Sequence, residues 1–107
     1  VKQQARLGAS LLLNLGASPY VLGKPERRHQ QFAQTARALK TPLVYVNAVG
    51  GQDNLIFDGH SGLVNGSRSE QLPGFKEAVE THELNQLTGR NQNKNPMAEL
   101  YAALYYP

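Results

Sequence analysis

The sequence predicts an α/β fold. Two apolar, strand-like runs at residues 11–15 and 43–49 flank an amphipathic helical segment at residues 25–39, with short connections on both sides. Apolar residues make up 40% of the 107, charged residues 18% and aromatics 7%. That is enough for a packed core and too apolar for a disordered chain. The length fits one small domain or a piece of a larger one.

Residues 2–7 read as the last turns of a helix, stopped by Gly8. Leu11-Leu12-Leu13-Asn14-Leu15, bounded by Gly16 and Pro19, is short and nearly all apolar, which predicts a strand buried on both faces. Residues 16–23 form a loop. Pro25 at the first helical position and Glu26 in the first turn open the long helix. Its apolar positions Phe32, Ala33, Ala36 and Leu39 recur at helical spacing, so Arg28, Gln31, Gln34 and Arg37 are expected to face water. Thr41-Pro42 ends it. The β-branched, apolar run at residues 43–49 is the second strand, and the crossover between the two is expected to be right-handed.

Gly50-Gly51-Gln52-Asp53 breaks the pattern and reads as a sharp turn. Leu55-Ile56-Phe57 is a short strand, turned by Asp58-Gly59. Asp58-Gly59-His60-Ser61 reads as a hairpin connection with side-chain-to-backbone hydrogen bonds. Residues 62–64 and those after Asn65-Gly66 form a hairpin, because Asn-Gly suits a type I′ turn. Leu72-Pro73-Gly74-Phe75 leaves the sheet. Residues 81–96 are polar and read as a linker, and residues 97–107, with Met97, Leu100, Tyr101 and Leu104, as the start of another helix. Tyr45, Phe57 and Phe32 are assigned to the core.

Composition narrows the chemistry. With no Cys, this chain offers no disulfide, no thiolate zinc site and no cysteine nucleophile. No apolar run approaches the length of a membrane span, and none has the form of a signal peptide, so no membrane contact is expected. Val1 in place of Met suggests a start inside a longer protein. The net charge of +3 is unevenly spread. Up to Lys40 there are seven basic residues against one acidic, and from Thr41 onward four against seven. The basic half lies mostly on one helix face without interleaved aromatics, which fits a solvated surface and not a nucleic-acid groove. His29, His60 and His82 lack metal-ligand spacing, so no metal site is expected.

The loop leaving the first strand carries the candidate chemistry, since open α/β sheets place ligands at the carboxyl ends of their strands. Gly16-Ala17-Ser18-Pro19-Tyr20 falls one residue short of the G-x-S-x-G elbow, and Pro19 lacks the backbone N–H that would help form an oxyanion hole. A Ser18/Asp58/His82 triad has the right chain order, but His82 lies at the linker's edge. Lys24 stands six residues after Ser18, at the mouth of the long helix. A hydroxyl and an ammonium there can hold the carboxylate of an amino acid, helped by the positive helix end. A solvated lysine and a turn-capping serine account for the same pair more simply. Gly23-Lys24-Pro25 is not a P-loop, and Gly50-Gly51 as a phosphate cradle is a weak motif.

Together the segments carry a resemblance that none carries alone. Asn14-Leu15-Gly16-Ala17-Ser18-Pro19-Tyr20, Gly23-Lys24 with Arg27 or Arg28, Pro42-Leu43-Val44-Tyr45-Val46-Asn47 with Val49-Gly50-Gly51-Gln52-Asp53, and Leu55-Ile56-Phe57-Asp58-Gly59-His60-Ser61 resemble, in order, the second half of the glutaminase domain of the glutamine-dependent NAD+ synthetase family. That domain belongs to the nitrilase (carbon–nitrogen hydrolase) superfamily. The match runs over residues 2–75, and Ala98-Glu99-Leu100-Tyr101-Ala102-Ala103-Leu104 is similar to the helix opening the family's synthetase domain.

The resemblance implies a fragment of a nitrilase-type α-β-β-α sandwich: residues 1–80 the C-terminal half of the amidohydrolase domain, 81–96 a linker and 97–107 the first synthetase helix. It implies a cytoplasmic ligase of NAD biosynthesis that hydrolyses glutamine through a Glu–Lys–Cys triad and passes the ammonia to an ATP-dependent amidation of deamido-NAD+. The triad lies upstream of Val1 in the family pattern, so this chain contributes no catalytic residue and is expected to be inactive alone. Ser18 and Lys24 fall on the family's glutamine-binding positions. ATP and magnesium are expected in the absent synthetase domain and no cofactor in this segment. The expected partners are glutamine, the remainder of the parent chain and further copies in a homo-oligomer. A free-standing amidase of the same superfamily and a non-catalytic module packing on a partner stay open as alternatives.

Overall fold

The computed structural model describes residues 2–87 and Ala103. It is a mixed α/β arrangement in which one long helix covers one face of a four-stranded sheet, with a two-stranded ribbon alongside. The short helix α1 spans Lys2–Arg6 and ends at Gly8. Strand β1 (Leu12–Gly16) leads through the loop into helix α2 (Lys24–Leu39), and β2 (Leu43–Asn47) returns parallel to β1, with Leu12 opposite Leu43 and Gly16 opposite Asn47. The expected strand–helix–strand unit is therefore present.

Helix α2 begins one residue earlier than expected, with Pro25 in its first turn, where a missing N–H costs nothing. It stops at Lys40, a left-handed residue (φ 52°) whose N–H reaches back to Arg37 O at 3.2 Å. Ala33 and Ala36 bury against Leu12, Leu43, Tyr45 and Val64, and partly buried Phe32 and Leu39 flank them. The Phe32 ring stacks on Tyr45 at 4.6 Å between centroids. This is the core.

After β2 the chain departs from expectation. The second strand ends at Asn47, and the Gly-Gly segment is not a turn but strand β3 (Val49–Gln52), paired antiparallel with β4 (Leu55–Asp58) around Asp53. Two residues without side chains bulk neither face, so the ladder forms where propensity reads a break. Residues 58–61 are not a hairpin connection either. They carry the chain from the ribbon into the main sheet, where β5 (Gly62–Asn65) pairs antiparallel with β2 and then with β6 (Arg68–Gln71), giving the order β1-β2-β5-β6. The last two strands do form the expected hairpin. Asn65 pairs with Arg68, however, so Gly66 and Ser67 are the central turn residues and only Gly66 has positive φ (62°). That is the pattern of type II′, with glycine first, and not type I′.

The expectation that β1 is buried on both faces is overturned. Leu12 is buried toward α2, but Leu13 is 67% and Leu15 76% exposed. The strand lies at the sheet edge, and alternate side chains point to opposite faces, so the single covering helix hides only one set. Residues 84–86 of the expected linker form a 3-10 turn held to the β5–β6 hairpin by Asn65 Nδ2 donating to Leu84 O (2.8 Å) and Arg68 Nη1 to Asn85 O (3.2 Å). Residues 88–96 of that linker and the expected helix at 97–107, apart from Ala103, lie outside the described residues.

Candidate functional site

Because β1 and β2 are parallel, both carboxyl ends open on the same side, beside the start of α2. A cleft of about 510 Å³ lies there. Its walls are Asn14, Gly16 and Ser18 from β1 and its loop, Lys24, Arg27, Arg28, Gln31 and Phe32 from α2, and Tyr45–Asn47 from β2. Ser18 and Lys24, the two positions singled out in the sequence, thus line one cleft. Lys24 Nζ donates to Pro19 O (3.0 Å), which folds the ammonium back over the loop and leaves it two further protons to donate.

Ser18 is held at three points. Its N–H donates to Asn47 Oδ1 (2.7 Å), and Asn47 Nδ2 donates to the Ser18 carbonyl (3.3 Å). Its hydroxyl accepts from Arg28 Nη2 (3.3 Å). Asn47 Nδ2 also reaches Gly59 O (3.1 Å), while the Asn47 N–H donates to Ser61 Oγ (2.9 Å). One buried amide therefore ties the β1 loop, the end of β2 and the β4–β5 connection together.

Arg28, expected to face water, is 8% exposed. Its guanidinium meets Asp58 end-on, Nη2 to Oδ1 at 3.0 Å and Nη1 to Oδ2 at 3.1 Å, and Nη1 also reaches Gly59 O at 3.3 Å. His60 Nδ1–H donates to Asp58 Oδ2 at 2.6 Å. Burial alone would push the Asp58 carboxyl up, but the hydrogen bonds from His60 and Arg28, with their charges, outweigh it and hold the group below the usual carboxylate range. His60 fits because the facing residue is Gly74, where a Cβ would run into the imidazole. Tyr45, hydrogen-bonded to His29 Nδ1, has its phenol pushed up, chiefly by burial, so it stays neutral at ordinary pH.

Sequence reasoning placed Ser18 and Lys24 but missed Arg28, Asp58, His60 and Asn47. A signal for Arg28 was present: Pro25, Arg28, Phe32, Ala36 and Leu39 form one stripe at spacings of three and four, so the arginine sits on the buried side. The Ser18/Asp58/His82 arrangement is not assembled. Asp58 is fully engaged by Arg28 and His60, while His82 pairs with Glu80 (2.8 Å) beside a smaller cavity against Val44 and Leu63. Gly50 and Gly51 are taken up in strand pairing. Among the described residues no three His, Asp or Glu side chains gather as metal ligands, and no helix is long and apolar enough to cross a membrane.

No protein-family model matches the chain. It is 40% identical over 112 residues to the glutamine-dependent NAD(+) synthetase of Acinetobacter baylyi, covering 97% of this chain and 21% of that protein. It is 42% identical over 106 residues to the protein of the same name from Synechocystis, covering 91% of this chain and 19% of that protein. A solved glutamine-dependent NAD+ synthetase from Acinetobacter baumannii, in complex with adenosine diphosphate, superposes with a TM-score of 0.89 at 35% identity, over 98% of this chain and 22% of that one. The chain spans about a fifth of the length of the curated relatives it matches.

Proposed function

We propose that this chain is part of a glutamine-dependent NAD+ synthetase and forms one wall of the pocket in which glutamine is hydrolysed. The observation carrying this reading is that Ser18 and Lys24 line the same cleft at the carboxyl ends of parallel strands, next to the start of α2. An ammonium, a hydroxyl and a helix N-terminus together suit an amino acid's carboxylate. The similarity to glutamine-dependent synthetases over nearly the whole chain supports glutamine as that amino acid.

In this reading the chain binds and orients, and other parts of a longer protein do the chemistry. A thiolate must come from elsewhere, since this chain has no Cys. The ammonia released would serve an ATP-dependent amidation of deamido-NAD+, in a cytoplasmic homo-oligomer of the nitrilase-superfamily type. The described residues do not fit ATP and magnesium. Gly23-Lys24-Pro25 lacks the P-loop spacing and no acidic cluster is present among them, so those groups belong to another part of the protein. The exposed row Leu13, Leu15 and Val46 is the surface on which the nitrilase-type sandwich would continue.

The test grafts this 107-residue segment into the Acinetobacter baylyi synthetase in place of the segment it matches. Lys24→Ala raises the glutamine KM by about 30-fold or more, from about 2–5 kcal/mol for truncating one side of a charge contact. Synthesis from free ammonia is the comparison. Equal loss of both activities would overturn the reading.

A further inference from the structure

We infer that Arg28 is a positioning residue that orients the Ser18 hydroxyl to donate toward the cleft, so that the Ser18–Lys24 pair favours a carboxylate over an ammonium. The inference rests on the glutamine reading above and adds the residue that sets the direction of the Ser18 hydroxyl.

A serine hydroxyl is ambivalent: it carries one proton to donate and lone pairs to accept with. A guanidinium is not, for every polar hydrogen on it donates and it stays charged at any working pH. Arg28 Nη2 donates to Ser18 Oγ (3.3 Å) and takes up one of its two lone pairs, which turns the hydroxyl proton away from the guanidinium. The hydroxyl proton is what remains for a ligand, polarised by the cation behind it. Lys24 donates one proton to Pro19 O and keeps the others, and it too can only donate. Two donors on one wall, one of them cationic, match the oxygens of a carboxylate. An α-ammonium would face the Lys24 cation and only the one lone pair that Arg28 leaves on Ser18.

The arginine cannot swing away to relax this. Its two terminal nitrogens are fixed by Asp58 and by Gly59 O, and Asp58 is fixed in turn by His60. Asp58 is wholly buried and His60 is 4% exposed. The backbone of Ser18 is pinned separately by Asn47, at both its N–H and its carbonyl. Asn47 therefore sets where Ser18 stands, and the His60–Asp58–Arg28 series sets which way its hydroxyl faces. An ion pair buried at this depth contributes little net stability compared with apolar packing. Supporting groups of this kind fix the geometry of a contact residue.

The test is a double-mutant cycle in the Acinetobacter baylyi graft, with glutamine KM and kcat read separately. Ser18→Ala raises KM about tenfold. Arg28→Lys, which keeps a charge opposite Asp58 but loses the fork, raises KM several-fold with kcat little changed in the Ser18 background, and by less than about twofold once Ser18 is alanine. The same multiplication of KM in both backgrounds would show that Arg28 acts through the fold and would overturn the inference. An unchanged KM in Ser18→Ala would instead sink the glutamine reading itself. A second measurement needs no change at Arg28. In the 107-residue chain, Ser18→Ala shifts the Arg28 Nη nitrogen signals, and unmoved signals would also overturn the inference.

Discussion

Arg28 on α2 and Asp58 at the end of β4 meet as a two-point ion pair, 3.0 and 3.1 Å, across 30 residues of sequence. The pair joins the helix covering the main sheet to the ribbon beside it. It also stands directly behind the Ser18 hydroxyl, so one contact serves both the fold and the wall of the cleft.

Removing one member of this pair leaves the other charge buried and alone. Asp58→Ala is expected to lower unfolding free energy by about 3–5 kcal/mol. Urea unfolding of the 107-residue chain measures it, and a loss within the range of an ordinary surface substitution would show that water reaches Arg28 readily.

The same carboxylate sets an acid limit. Its folded-state pKa lies below the ordinary carboxylate value because the bonds from His60 and Arg28 outweigh burial. A depressed folded pKa contributes stability that is complete above the unfolded value, about pH 4, and is lost as pH falls through the lower folded value. Unfolding free energy is therefore expected to decline below about pH 4, and Asp58→Asn to flatten that decline. Parallel slopes for the two proteins between neutrality and pH 3 would assign the acid sensitivity to other carboxylates.

The strand–helix–strand unit, the helix stripe and the β5–β6 hairpin were legible because each is written locally, in apolar period and turn residues. What was not legible depends on partners far apart in sequence. Arg28 reads as solvated until Asp58 is brought to it, and Gly50-Gly51 reads as a turn until β4 lies alongside. The exposure of Leu13 and Leu15 follows from the position of β1 at the sheet edge, which no local pattern encodes. At the cleft, Ser18 and Lys24 were singled out through residue type and family spacing, and the two do share one wall. The residues behind them were not, because support of a contact residue leaves no motif of its own.

Gly74 is expected to tolerate no side chain. A Cβ there would collide with the His60 ring, which would have to leave the Asp58 carboxylate. Gly74→Ala should destabilise the chain by about 1–3 kcal/mol, the usual cost of overpacking. It should also shift the His60 Nδ1 signal in nitrogen-15 spectra. Lost stability with an unmoved His60 signal would place the strain elsewhere in the 59–75 segment.

Leu12 and Leu13 are neighbours on one strand with opposite surroundings, and their substitutions should separate accordingly. Leu12 is packed in the core, so Leu12→Ala should cost about 2–5 kcal/mol in urea unfolding of the chain. Leu13 is exposed, so Leu13→Thr should stay within about 0.5 kcal/mol in the same measurement. In the Acinetobacter baylyi graft the second result should change, because there Leu13, Leu15 and Val46 would lie under the rest of the protein and a polar group would be buried among apolar ones. A Leu13→Thr graft as stable as its parent would mean that this face stays in water in the longer protein, and the proposed continuation of the sandwich over β1 and β2 would be wrong.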